Sequence, residues 1–444
     1  MLTPSPQEIQ THNSCFSTHP SSHTPMEVSM RLRAIIVVAV LCGAFAVTAF
    51  AGGFQTGTQN ARAMGMGHAF VGVASDASAI YFNPAGLANL KGMHVMAGTT
   101  LIMPTLKFTG PKPLTTATDA VEKTFTPINV YGAYAMDNKL SFGIGVFNPY
   151  GLGSEWPGNW VGRSAAVKTE LRTFYINPTV AYQLTDNIAV GAGFNYIVSS
   201  IIMNRVTTSV PGLPVATNIK TDLEGDGKAA YTFNFGLLYK ATEGLSIGAS
   251  YRHSAEIEFE GDIKFSNLTV GIPTIDPILA ATFKTSKGAA KLTMPYDFRA
   301  GISYDVMSEL TLNADFQYVG WESYSELAAT FANPLYNVKI AKNWENAYSF
   351  KVGGEYRMDA LALRAGYVFD ATPIPTKTMD PSLPGADRHE FTVGLGYQLT
   401  KNIRVDAAYQ YISFNQEVND SGFGFNGKYE NSTNLFGFNF GFGF

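Results

Sequence analysis

The sequence predicts an all-β fold: a membrane-spanning antiparallel barrel of about fourteen strands, with a small N-terminal plug inside its lumen. Three observations predict it. An export signal precedes residue 52. Most of the remaining chain alternates apolar and polar residues with a period of two, over segments long enough to cross a bilayer. The connections between those segments alternate short and long.

Composition agrees. Of 444 residues, 43 are Gly, 13% are aromatic and only 15% are charged, against about 25% charge in soluble domains. The net charge of −4 gives no hint of a nucleic-acid partner.

Residues 1–29 are polar and rich in Pro, Ser, Thr and His, and read as a non-folding extension. Residues 30–51 read as a secretory signal: Arg31 and Arg33, an apolar run from Ala34 to Val47, then Ala49-Phe50-Ala51 as the cleavage site. The apolar run falls short of the ~20 residues a spanning helix needs, and no comparable run occurs after it. The mature chain is expected to begin at Gly52. Cys42 suggests a lipid-attachment site, but Leu41 before it is bulky where a small residue is expected. Cys15 and Cys42 both lie upstream of Gly52, so the mature chain has no disulfide.

Residues 52–92 are rich in Gly, Ala and Ser and show neither a strand pattern nor a helical stripe. They read as the plug. Asn83-Pro84-Ala85 inside it reads as a turn, because Pro fixes φ and Asn bonds back to nearby amides. Phe54, a large aromatic close to the expected terminus, reads as an anchor.

Residues 93–444 read as the barrel. Strands are expected near 93–108, 125–136, 140–153, 164–184, 188–204, 228–242, 245–265, 288–307, 309–324, 346–358, 361–372, 388–400, 402–419 and 432–444. Around 291–306, Leu292, Met294, Tyr296, Phe298, Ala300, Ile302, Tyr304 and Val306 alternate with polar residues including Lys291, Arg299 and Asp305, which assigns one apolar and one charged face. Asp137-Asn138, Thr185-Asp186-Asn187, Thr242-Glu243-Gly244, Ser308-Glu309, Asp359-Ala360 and Thr400-Lys401-Asn402 read as tight turns. Longer connections are expected at 109–124, 205–227, 266–287, 325–345, 373–387 and 420–431. Both chain ends then fall on the short-turn side, which puts the plug there too. The last strand carries Phe436, Phe438, Phe440, Phe442 and Phe444 on one face. Such an edge would aggregate if left unpaired in water, and closure into a barrel removes it.

Several residues are candidates for a site. Asn148, Pro149 and Gly151 either kink the third strand, since Pro cannot donate to the ladder and Gly tolerates unusual dihedrals, or mark its end at Phe147. Arg205 shares parity with Gly191, Gly193, Asn195 and Ser199, which places it on the lumenal side after the fifth strand; it either holds a carboxylate or is a solvated loop-base arginine. Arg299, Lys351 and Arg364 are further lumenal cations. In the 266–287 connection, Asp276-Pro277 suits a helix start, and Ile275, Leu279 and Phe283 share one face, with Ile278 beside it. That face either is an exposed apolar landing site or packs on Val210, Leu213 and Val215 of the neighbouring connection. His68, His94, His253 and His389 form no metal-ligand or catalytic motif, and no HExxH or GxSxG occurs. No enzyme activity, metal or cofactor is expected. A general porin and an outer-membrane lipid enzyme remain the alternatives from other classes.

Three stretches carry a family resemblance across nearly all of the expected mature chain: GFQ at Gly53–Gln55, FNPAGL at Phe82–Leu87, and FNPYGLGSEW from Phe147, followed by WVGR and LRTFYINPTVAY. In order and together they resemble the FadL-type outer-membrane transporters of long-chain fatty acids, with their branch for aromatic hydrocarbons. The resemblance implies a fourteen-stranded barrel in the bacterial outer membrane, closed by an N-terminal hatch. It implies that a long-chain fatty acid or other hydrophobic small molecule lands between extracellular loops, enters a pocket that Phe54 occupies, and leaves sideways into the outer-membrane lipid through a kink in the third strand. It gives Asn83-Pro84-Ala85 a part in transport, and it makes the terminal Phe444 a recognition signal for the barrel-assembly machinery. No energy source is implied.

Overall fold

A computed structural model describes residues 52–136 and 139–444. The expected extension, the export signal, both cysteines and the Asp137-Asn138 turn lie outside the described residues.

Fourteen strands form the wall. They are β1 Gly92–Thr109, β2 Ile128–Ala135, β3 Leu140–Phe147 resuming as Gly151–Glu155, β4 Lys168–Gln183, β5 Ile188–Ser209, β6 Ala216–Gly227 and Ala230–Thr242, and β7 Leu245–Arg252 and Ala255–Ser266. Next come β8 Ser286–Met294 and Asp297–Met307, β9 Leu310–Val319, β10 Ala347–Met358, β11 Leu361–Asp370, β12 Arg388–Gln398, β13 Ile403–Val418 and β14 Gly427–Gly443. Each pairs antiparallel with the next, and β1 pairs with β14 from His94↔Gly443 to Thr109↔Lys428. The sheet therefore closes on itself, which leaves no edge to be satisfied by lipid.

The strand faces follow the period-two reading. On β14, Phe436, Phe438 and Phe440 are exposed, while Leu435, Gly437 and Asn439, which alternate with them, are buried. Phenylalanines that face out from a closed wall are stable only against hydrocarbon. The inner face is polar and internally bonded: Asn177 of β4 donates to Asn195 of β5 at 2.6 Å and to Asn234 of β6 at 2.7 Å.

Three expectations about the wall need correction. On β8, Leu292 and Met294 are buried whereas Phe298 and Ile302 are exposed, so the apolar set does not share one face. The strand breaks at Pro295-Tyr296, and the break shifts the alternation by one residue. The 205–227 segment is mostly strand rather than connection, because β5 and β6 pair from Ser200↔Asp226 to Ser209↔Ala216. A hairpin that projects beyond the bilayer needs no apolar face, so its polar sequence reads as loop. Within 325–345 a smaller hairpin, Glu326–Phe331 with Val338–Ala341, likewise replaces expected loop.

The N-terminal segment, residues 52–91, is anchored to strands all round the ring. Ala61 N donates to Asn439 of β14 at 2.6 Å, and Arg62 donates twice to Glu355 of β10 at 3.0 Å. Gly67 N donates to Thr392 of β12 at 3.0 Å; Phe70 N and Val71 N both reach Asp315 of β9, at 2.8 and 2.9 Å. Tyr131 of β2 donates to Gln59 O at 3.0 Å, and Asn83 donates to Leu237 O of β6 at 3.0 Å. One short segment reaches all these strands only from inside the closed ring.

Wall glycines make room for it, among them Gly236 and Gly353. A Cβ on Gly236 would stand 2.2 Å from Asn83 Oδ1, and one on Gly353 would stand 2.1 Å from Met66 O. Both require glycine for the approach. The segment does not sit wholly at the short-turn end, as expected. Gly92 is there, but Gly52 N donates to Asp370 at the far end of β11 (3.0 Å), and Arg388 at the start of β12 donates to Gly53 O (3.0 Å). The chain threads the bore from its long-connection end to its short-turn end.

Candidate functional site

The wall has a gap between β2 and β3. The two strands pair from Ala135↔Ser141 to Asn129↔Phe147 and no further. Beyond Phe147, β3 carries one residue too many. Phe147 faces Tyr175 and Gly151 faces Arg172, so four steps on β3 match three on β4. Pro149 lies in this surplus, where its missing N–H costs the ladder nothing. The insertion also reverses the faces of the resumed strand: Phe147 is buried before it, while after it Leu152 packs on the core and Ser154 donates to Ser382 O at 2.8 Å. The sequence left a kink and a strand end open; the structure has the kink.

The edges of the gap are held by specific contacts. At its base Ile128 N donates to Asn148 Oδ1 at 3.0 Å, and Asn148 Nδ2 donates to Thr173 O at 2.6 Å. At its top Val121 N donates to Glu155 O at 2.7 Å, and Lys123 pairs with Glu155 at 3.2 Å. Between them the Phe125 ring lies on Gly153, where a Cβ would come within 2.1 Å of it.

The N-terminal segment mends the open edge of β3 from inside. Thr56 N donates to Pro149 O at 2.9 Å, Gly151 N donates to Phe54 O at 3.0 Å, and Gln55 bridges to Tyr150. Thr56 Oγ1 and Gln59 Nε2 both donate to Asn148 O at 2.6 Å. These bonds replace those that β2 would have made.

Phe54 is buried in a box of aromatic rings. Its ring centroid lies 4.6 Å from Trp321, 5.7 Å from Trp344, 6.0 Å from Tyr324 and 6.1 Å from Tyr150. Sequence reasoning identified Phe54 but none of these four partners. Trp321 and Trp344 lie just beyond β9 and just before β10, and nothing local distinguishes them from other aromatics.

A cavity of ≈ 610 Å³ lies between the N-terminal segment and the gap. Its lining includes Gly52 to Thr58 on one side and Phe125, Pro127 and Gly151 to Glu155 at the gap. Phe54 also lines a second, smaller void of ≈ 50 Å³ with Tyr324, Trp344 and Ile374, so its ring stands between the two. The larger cavity holds cations. Arg299 pairs with Asp297, donates to the Tyr81 hydroxyl at 2.9 Å and lies over the Tyr81 ring at 4.7 Å. Lys351 donates to Gln317 Oε1, and among the described residues it has no carboxylate within ion-pair distance.

The remaining candidates separate. Asn83, Pro84 and Ala85 are buried on the far side of the segment and hold its shape: Asn83 Oδ1 accepts from Ala85 N at 3.2 Å, and its Nδ2 donates to Val71 O at 3.0 Å. Arg205 lies within β5 opposite the buried Thr221 and does not line the cavity. Arg364 is also not free for a ligand. It pairs with Glu355 at 2.8 Å and with Asp406 at 2.7 Å, in the cluster that receives Arg62 and Arg404.

The helix Asp276–Thr282 exists, but its apolar face turns inward. Leu279 and Ile275 are buried against Ile219, with Phe283, Val210, Leu213 and Val215 packed alongside. Of the four expected landing residues only Ile278 is exposed. The packing alternative holds for the other three.

Above the cavity, Lys342 pairs with Asp380 at 2.6 Å and ties the β9–β10 connection to the β11–β12 connection. Burial alone would raise the Asp380 carboxyl. The Lys342 ammonium and donors from Ser382 outweigh it and hold the carboxyl below the usual range. Burial would lower the Lys342 ammonium, and Asp380 raises it instead.

Residues 42–444 match the family model described as outer membrane protein transport protein (OMPP1/FadL/TodX). The chain is 25% identical over 429 residues to a long-chain fatty acid transport protein of Salmonella typhi, covering 92% of this chain and 98% of that one. It is 26% identical over 398 residues to a 47 kDa outer membrane protein of Pasteurella multocida, covering 86% and 92%. Its fold is similar to the crystal structure of a Pseudomonas aeruginosa FadL homologue, with TM-score 0.75 and 22% identity over 88% of this chain and 100% of that one. It is also similar to the Pseudomonas putida toluene transporter TodX, with TM-score 0.69 and 16% identity over 89% and 99%.

Proposed function

The chain belongs to the outer membrane protein transport protein (OMPP1/FadL/TodX) family, and from that premise we propose that it carries long-chain fatty acids or similar hydrophobic molecules passively into the outer membrane. Membership makes it an outer-membrane β-barrel and a transport protein rather than an enzyme. The observation that carries the finer reading is the continuity of the ≈ 610 Å³ cavity with the gap between β2 and β3. A ligand in that cavity has a sideways exit at the height of the apolar wall, so it need never cross water to reach lipid.

The N-terminal segment is the gate in this reading. Phe54 fills the box and Phe54–Thr56 occupy the open edge of β3, so a ligand and the segment compete for one space. Lys351, whose bonded partner is neutral, is the group available to receive a carboxylate, whereas the Arg299 charge is already compensated by Asp297. The relatives named as fatty-acid transport proteins agree with a carboxylate-bearing ligand. The relative named as a toluene transporter fits a neutral one. Uptake of radiolabelled oleate and toluene by cells carrying the chain or its Lys351→Met variant tests both. Loss of oleate uptake with toluene unchanged supports the carboxylate reading, and equal uptake of oleate by both chains removes it. No uptake of either compound above barrel-free cells ends the transport reading itself.

A further inference from the structure

We propose that the aromatic box now filled by Phe54 is a ligand subsite for a planar ring bearing a hydrogen-bond acceptor, with the Trp321 indole N–H as its donor. The inference rests on the transport reading, because the box opens only if Phe54 withdraws.

Two observations on the box carry it. The first is shape. Phe54 meets Trp321, Tyr324 and Tyr150 edge to face, at interplanar angles of 71°, 85° and 66°. Trp344 closes the box at 5.1 Å from Trp321 and 4.8 Å from Tyr324. Edge-to-face contacts depend on a ring's quadrupole, so a flexible alkyl chain in the same volume does not reproduce them. What the box holds is a phenyl ring, and what replaces it best is another planar ring.

The second is polarity. Trp321 is fully buried, and its Nε1–H has no partner. Buried indoles almost always donate. Trp156 donates to Pro381 O at 3.0 Å, and Trp160 donates to Ala166 O at 2.8 Å. The edge of Trp321 that adjoins Nε1 faces the movable segment: a Cβ on Gly53 would lie 2.6 Å from its Cζ2 and 2.8 Å from its Cε2. The present occupant therefore satisfies the ring faces but not the donor. A ring carrying a carbonyl or ether oxygen would satisfy both. A plain hydrocarbon would leave the donor as it is, and a fatty acid would place methylenes against it.

The test uses two isosteric probes, 1-phenyldecan-1-one and 1-phenyldecane, which differ only by the acceptor. Binding to the barrel in nanodiscs is measured by equilibrium partition and corrected with empty nanodiscs. Phe54→Ala should tighten both probes, and that variant should hold the ketone roughly tenfold more tightly than the hydrocarbon. Trp321→Phe, which keeps a ring and removes the donor, should weaken the ketone by roughly the same factor and leave phenyldecane within about twofold. Equal affinity of the two probes for Phe54→Ala overturns the proposal, even if Trp321→Phe fails to assemble. So does a Trp321→Phe barrel that weakens both probes alike or neither. If oleate still binds in those cases, the subsite fails and the transport reading stands. If no hydrophobic probe binds at all, both fall.

Discussion

The Arg62–Glu355 pair fixes the N-terminal segment to β10, and its energetics are set by burial. Both side chains are nearly fully removed from solvent, and Glu355 also receives Arg364 and Arg404. Removing one partner of a buried pair leaves a charge without compensation, which costs about 3–5 kcal/mol, whereas replacing both by apolar groups costs far less. Glu355→Gln strips three arginines of a partner and should lower the unfolding temperature of the purified barrel, with a smaller loss in Arg62→Met, which leaves Glu355 paired with Arg364 and Arg404; melting curves in detergent read both. The Lys342–Asp380 pair gives a pH dependence. Asp380 has a folded pKa below its unfolded one, so its contribution is complete above the ordinary aspartate range and disappears as pH falls through the lowered value. Lys342 is raised, and its contribution is lost only as pH climbs above the ordinary lysine range. Protease protection of the connections 320–346 and 371–387 should decline on acidification in the native chain and not in Lys342→Met/Asp380→Leu. Residue chemistry was partly legible in the sequence. Pro149 and Gly151 announced a broken ladder because Pro lacks a donor whatever surrounds it. Arg205 stayed between two roles in the sequence because parity gives a face and says nothing of depth, and the strand runs on past the cavity.

At the scale of single elements, β3 and the N-terminal segment are complementary. The surplus residue in β3 parts it from β2, and residues 54–56 take the bonds that are left. Deleting one residue from Asn148–Tyr150 should remove the surplus, restore a common alternation along β3 and let β2 pair further up. Ligand uptake should fall to that of barrel-free cells while assembly persists, and uptake equal to the native chain would reject a sideways exit. Phe125→Ala acts on the same gap in the opposite direction. It removes the ring lying on Gly153, and initial uptake rates should rise at least severalfold, as when about 1 kcal/mol is taken from a barrier. The period-two rule located these strands well because lipid outside and polar side chains inside enforce it on both faces. It failed where the enforcement stops: in the β5–β6 hairpin beyond the bilayer, and at Pro295 in β8. The helix Asp276–Thr282 shows what local pattern can reach: its apolar face and its partners Val210, Leu213 and Val215 were both readable, but spacing alone did not decide between packing and exposure.

For the molecule as a whole, closure and occupancy together set what passes through. The barrel is fourteen strands round, but its bore contains a segment bonded to β2, β6, β9, β10, β12 and β14. In planar bilayers it should show no steady large conductance, unlike an open porin, and removal of residues 52–60 alone should not create one, because Ala61 onward stays wedged. A stable large conductance in the native chain would contradict this. Strand count, closure and an interior occupant were all legible from spacing and composition. The path of that occupant was not, because the contacts that set it join residues hundreds of positions apart, as Gly52 and Asp370 do.

The uneven lacing of the cylinder has a mechanical consequence. The seam between β1 and β14 is stitched along sixteen residue pairs, and the seam between β2 and β3 along seven. Backbone bonds share a load along their row, so tension in the surrounding membrane concentrates on the shorter row. The cylinder's point of least resistance to stretching thus coincides with its side opening, and a bilayer under strain would widen that opening first.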